Sequence, residues 1–242
     1  MNEADDWQAL AAFTPARVAL GRAGSGLPTR RVLEFQLAHA RARDAVNAPF
    51  DAAAISAALA PSPAVLLETR AQNRLAYLMN PDAGRKLSAR SRALLAPGRA
   101  DAVLVIADGL SATAIHAHGA ELARCIFEHT TDIAWAPVAI VRNGRVAIGD
   151  EIAQALGAAF VVVMIGERPG LSAADSVGLY LTRHPIAGAT TDSQRNCISN
   201  VRPGGLALDE AAHRLGWLIA GANNRRHRCG PERRRAGSPK AS

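Results

Sequence analysis

Aromatic side chains are scarce in this 242-residue chain, 4% against an apolar content of 49%. A chain of this length can bury a sizeable core. With alanine carrying much of the apolar count, helices must pack close and shallow. Cysteine is nearly missing as well. Cys125, Cys197 and Cys229 are odd in number, far apart and without a CxxC spacing. That argues against a disulfide framework and points to a reducing cytoplasm. Apolar runs stop at about eight residues, too few to span a bilayer. The acidic start MNEADDWQAL lacks the basic-then-apolar order of a signal peptide. Finally, most of the chain has no charge surplus. Six of the net +7 charges reside in residues 223–242, NNRRHRCGPERRRAGSPKAS, which hold seven of the 28 Lys/Arg and one of the 21 Asp/Glu. A near-neutral body does not support a nucleic-acid footprint, and the basic tail reads as disordered.

What the chain does have is an alternation of short apolar runs and helical patterns. Residues 1–100 read as mainly helical. A glycine loop precedes a helix that begins near Pro28 and Thr29, with Val32, Leu33, Leu37 and Ala40 at helical spacing. Helical stretches follow at 51–60, 64–79 and 84–96, and only 17–20 looks strand-like. From Asp101 the character changes. DAVLVIADGLS and AAFVVVMIG read as buried strands, 112–129 as a helix, and WAPVAIVRNGRVAIGD as a strand, an Asn-Gly turn and a second strand. EIAQALG is a short helix closed by Gly157. Residues 174–184 are either a helix followed by a strand or one extended segment. Residues 188–205 read as a loop and 207–222 as a last helix, in which Gly216 marks a close packing contact. The fold class expected is α/β with a largely parallel sheet. It divides into a helical region 1–100, a sheet region 101–222 and a basic tail 223–242.

Ligands of open α/β sheets sit beyond the carboxyl ends of strands. Three stretches meet that rule: Asp108-Gly109-Leu110-Ser111, Asn143 to Asp150, and Gly166 to Ser172. The last is the most informative. In VVVMIGERPGLS a turn needs only the glycines and Pro169, so Glu167 and Arg168 require another reason. Gly21-Arg22-Ala23-Gly24-Ser25-Gly26 has the order GxxGxG rather than that of a dinucleotide fingerprint, and no acidic residue follows at the right distance. It leaves a standalone nucleotide-binding α/β enzyme as the alternative reading. His116 and His118 lie about 200° apart on a helix, so one ion cannot easily take both. Ser111 and Ser172 lack a GxSxG elbow. The chain is equipped to bind something rather than to transform it, and no catalytic residue is assigned.

Six segments in order resemble the small (light) subunit of ethanolamine ammonia-lyase: RVALGRAGSGLPTRRVLEFQLAHARARDAV, RLAYLMNPDAGRKLS, AVLVIADGLSATAIH, APVAIVRNGRVAIGDEI, VVVMIGERPGLSAADSVGLYLT and TDSQRNCISNVRPGGL. The resemblance implies a Rossmann-like region with a helical part, covering adenosylcobalamin at the interface with a large catalytic subunit. It implies conversion of ethanolamine to acetaldehyde and ammonia, an assembly of six of each chain, and in some relatives a bacterial microcompartment. It also implies cofactor contacts at Val146, Glu167 and Cys197. The chain has no DxHxxG, so none of its histidines is expected to ligate cobalt.

Overall fold

The structure, a computed structural model, describes residues 9–228 apart from Pro15 and Ala19. In chain order the elements are α1 (Thr29–Asn47), α2 (Ala52–Ala58), β1 (Ala64–Glu68), α3 (Arg74–Met79), α4 (Ala89–Arg92), β2 (Ala102–Ala107), α5 (Ala112–His129), β3 (Val138–Arg142), α6 (Ile148–Leu156), β4 (Phe160–Gly166), β5 (Val177–Arg183), β6 (Asn196–Val201) and α7 (Leu208–Arg228). Short 3-10 turns occupy Ala11–Phe13, Pro81–Arg85 and Asp192–Gln194. No described helix is long and apolar enough to cross a membrane.

One six-stranded sheet has the order β1-β3-β2-β4-β5-β6. Its continuous apolar strands are buried on both faces, as their composition demands. On one face Leu104, Ile106, Val162 and Met164 pack beneath α2, α5 and α7. On the other Val103, Val105, Val161 and Val163 pack beneath α6. Gly149 of α6 approaches so closely that a methyl group there would lie 3.0 Å from Val161. Gly157 ends α6 in the left-handed conformation, φ 72°, as the closing glycine implied. Gly216 is a close packing contact, because an added Cβ would come within 2.9 Å of the His129 carbonyl.

The expectation of a largely parallel sheet holds for β1, β3, β2 and β4 and fails for the rest. β5 is antiparallel to β4, and β6 is antiparallel to β5. Residues 64–79 are not one helix. Ala64-Val65-Leu66-Leu67-Glu68 pairs in parallel with β3, and only 74–79 is helical. A run of four apolar residues carries no period that separates strand from helix, so pairing decides it. No strand forms at the described residues of 17–20, and within 84–96 only Ala89–Arg92 is α-helical.

The 135–150 hairpin is a strand followed by a helix. Asn143 takes the turn conformation at φ 57°, but the amides of Ile148, Gly149 and Asp150 bond back to the carbonyls of Arg145, Val146 and Ala147. Those three-residue steps wind the chain into α6 instead of returning a strand. Residues 174–184 resolve as strand β5. The 188–205 loop contains β6, an edge strand polar at most positions, with Ile198 and Val201 alone buried. The last helix runs six residues past Ala222 to Arg228, and residues 229–242 of the basic tail lie outside the described residues.

Candidate functional site

Thr69, Asp108, Asn143 and Glu167 directly follow β1, β2, β3 and β4, so four parallel strands deliver four polar side chains to one edge. The loops between them are interlocked. Leu110 N donates to the Gly166 carbonyl at 2.9 Å, and Gly144 N donates to Asp108 Oδ1 at 3.2 Å. The three stretches expected to form a crevice therefore do come together. Burial pushes Asp108 up to about 6, against the pull of the Arg74 guanidinium and of backbone N–H groups. Arg74 holds Asp108 Oδ2 at 3.2 Å, the Gly109 carbonyl at 2.8 Å and the Val46 carbonyl at 2.7 Å, tying the end of α1 to the sheet edge. Tyr77 lies between Arg74 and Arg145, whose guanidinium carbons stand 4.9 and 4.2 Å from its ring centre. Its hydroxyl donates to the Gly144 carbonyl at 3.1 Å, and burial pushes it up to about 12.

Val146, Glu167 and Cys197 meet the α6 face of the sheet. Val146 is partly buried and packs on the same apolar layer as Tyr180. Glu167 is half-buried; its Oε2 accepts from Asn200 N at 3.1 Å. Its Oε1 has no hydrogen-bond partner among the described residues and lies over Gly178, 3.0 Å from where a Cβ would stand. Cys197 is exposed and pairs across the sheet with Tyr180. Burial pushes the Cys197 thiol up, a hydrogen bond from Tyr180 pulls it down, and the Glu167 carboxylate pushes it up further. A thiol pushed up in this way has little thiolate character. Tyr180 itself is pushed up to about 12, first by burial and then by its bond to Cys197.

Sequence reasoning passed over the pair that frames this face. Arg195 donates to both oxygens of Asp150, each at 2.7 Å, and to Thr182 Oγ1 at 2.9 Å. Arg74, Tyr77, Arg145 and Tyr180 were missed for the same reason: their partners are remote in sequence. The one available signal was Asp108, an acidic residue ending a wholly apolar strand, which demands a buried cation.

The other motifs are brought to different places. His116 accepts from Asp51 N at 3.0 Å and stacks on Phe50, whereas His118 faces Asp175 at 3.4 Å. Gly21 and Gly24 take φ 76° and 65°, and Ala23 pairs with Gly26 in a tight turn that enters α1. Among the described residues no strand of the sheet precedes that turn, so the Gly21–Gly26 loop lacks the context of a dinucleotide site. Arg168 is exposed and makes no ion pair among the described residues.

Comparison with known proteins bears on this arrangement. A family model described as ethanolamine ammonia-lyase light chain (EutC) matches residues 4–230. The ethanolamine ammonia-lyase small subunit of Ralstonia nicotianae is 53% identical over 223 residues, covering 88% of this chain and 82% of that protein. The small subunit of Pseudomonas fluorescens strain Pf0-1 is 52% identical over 229 residues, covering 90% and 83%. That of Xanthomonas campestris pv. campestris strain B100 is 50% identical over 232 residues, covering 92% and 85%.

Proposed function

Since the chain belongs to the ethanolamine ammonia-lyase light-chain family, we propose that its α6 face holds adenosylcobalamin against a large catalytic subunit. The β2–α5–β3–α6–β4 unit is the Rossmann-like part of this reading, with helices on alternate faces. When bound, the cofactor supplies a cobalt–carbon bond that breaks homolytically, and the protein supplies binding and orientation. The observation that carries the reading is Glu167. The Asn200 amide fixes one carboxylate oxygen, and the other stands free above a residue with no side chain. A corrin ring is a broad apolar plate fringed with amides. The free oxygen can accept from such an amide, a charge-assisted bond. Val146 and Cys197 offer apolar and soft contacts on the same face. Arg145 Nε, buried and without a partner, is a further donor beside Val146.

Glu167→Ala, co-expressed with the large subunit, should bind cobalamin about tenfold or more weakly, as expected for losing a bond to a charged group. Equilibrium dialysis of the assembled complex measures this. An affinity equal to wild type would remove Glu167 from the site.

Assembly has its own surface. α1 is 19 residues long yet buries only Ala45, and it exposes Leu33 by 58% and Leu37 by 52%. A lone helix of this length gains little from its own hydrogen bonds, and most helical stability comes from a packed apolar face. On α3, Leu75 and Met79 are exposed by 67% and 78% beside the Arg74–Tyr77–Asp108 cluster. Arg74 ties the end of α1 to the sheet edge beside α3, and we assign these exposed apolar residues to the large subunit. Leu33→Glu combined with Leu37→Glu should leave the circular dichroism of the isolated chain unchanged and abolish co-purification with the large subunit. Retained co-purification would place the contact elsewhere.

A further inference from the structure

Next to Val146 lies a space that the proposed corrin contacts leave unused. A cavity of about 530 Å³ opens between the first turn of α6, the segment after β1 and the β5–β6 connection. It shares Arg85, Ala147 and Thr190 with a second cavity of about 390 Å³ whose wall includes Arg145 and Val146.

The charges on the larger wall do not cancel. Each carboxylate there is already engaged. Asp82 holds Arg85 at 3.1 Å, Glu151 holds Arg92 at 2.6 Å, and Asp150 holds Arg195 at 2.7 Å. Arg70 and Lys86 face the same space with no carboxylate partner among the described residues. Arg70 uses only its Nε, on the Leu87 carbonyl at 3.4 Å, and its terminal nitrogens remain open. No bond of the Lys86 ammonium appears among the described residues. In the smaller cavity Arg145 brings a third cation, which reaches the Tyr77 carbonyl through Nη2 at 3.4 Å and leaves Nε buried and unpaired. Unmatched cations in the larger cavity and an orphaned donor in the one adjoining it offer a place for an anion with several acceptor oxygens. A phosphate group has that chemistry.

We infer that Arg70, Lys86 and Arg145 form a phosphate subsite, which takes the phosphodiester of the cofactor's nucleotide loop. This inference rests on the cofactor reading given above. It adds a division of labour: Glu167 and Cys197 meet the corrin side, the cationic cavity meets the nucleotide side, and Val146 stands between them. Subsite binding is electrostatic and partly exposed, so it weakens with salt, whereas contact with the corrin plate does not.

The test uses the assembled complex with the large subunit and two probes in equilibrium dialysis. Cyanocobalamin carries the phosphodiester; dicyanocobinamide lacks both it and the nucleotide. Arg70→Ala with Lys86→Ala should weaken cyanocobalamin about five- to tenfold and flatten its salt dependence, with dicyanocobinamide unchanged. Glu167→Ala should weaken both probes. Equal losses for both probes in the Arg70/Lys86 variant, or no loss for either, would overturn the subsite. Failure of the wild-type complex to retain either probe, or indifference of both to Glu167→Ala, would instead overturn the cofactor face as drawn.

Discussion

Arg195→Ala should cost the isolated chain about 3–5 kcal/mol of stability, the range for stripping one partner from a buried ion pair. The side chains of Arg195 and Asp150 are each 2% exposed, and the two meet through paired bonds of 2.7 Å. Removing the guanidinium strands a carboxylate inside α6, where Ile148 and Ile152 surround it in the buried layer. It also releases Thr182 Oγ1 and Asp192, which Arg195 Nε contacts at 3.3 Å. Because Arg195 immediately precedes β6, the damage should spread to Asn196 and Cys197 and blur the edge of the proposed cofactor face. Urea denaturation followed by circular dichroism provides the measurement. Arg195→Lys should be intermediate, since it retains the charge and loses the two-pronged geometry. Joint replacement of Asp150 by Leu and Arg195 by Met should recover much of the loss. A midpoint for Arg195→Ala matching wild type would show that Asp150 finds another partner.

Gly166→Ala should be nearly as damaging, on the order of 3 kcal/mol or more. A methyl group there would collide with the Ser111 carbonyl oxygen and lie 2.6 Å from that of Asp108. Both obstacles are backbone, so no rotamer change relieves them. The residues that would have to move are pinned on either side. Leu110 N donates to the Gly166 carbonyl at 2.9 Å, and Glu167 N to the Ser176 carbonyl at 3.0 Å. The constraint is one of space: the loop ending β2 crosses the end of β4. Gly221→Ala is the control, because nothing lies within 4 Å of the added methyl group and helices favour alanine. Thermal melts of the two variants should shift in opposite directions. An unshifted melt for Gly166→Ala would mean the loop 108–111 yields more easily than its bonds suggest.

The buried centre of this fold was readable from composition and the edges were not. β2 and β4 are apolar at every position, and an unbroken run of that kind admits few other roles. Gly157 and Gly216 were legible because each sits where only a missing side chain makes sense. β1 and β6 were misread for opposite reasons. AVLLE has too few residues for a period, and NCISNV carries polar side chains on an edge where water completes the solvation. The hairpin misreading arose from Asn143-Gly144, a sound turn signal whose continuation depends on α6 packing over Val161 and Val163. At the site, Glu167 stood out because a turn alone did not account for it. Arg195 did not, since Asp150 lies 45 residues away and no local spacing links them.

The reversal of direction at β5 carries a consequence for how evolution could have kept this face accessible. Extending a sheet in parallel obliges the chain to climb back over one face, usually as a helix of a dozen residues or more. β5 and β6 are instead reached by residues 167–176 and 184–195, neither containing more than a three-residue helical turn. The exposure of Cys197 and the partial exposure of Tyr180 are therefore a property of chain routing, independent of which side chains stand there. Substitutions at Tyr180 or Cys197 can retune what the face recognises. Only an insertion long enough to make residues 184–195 a crossover could roof it over.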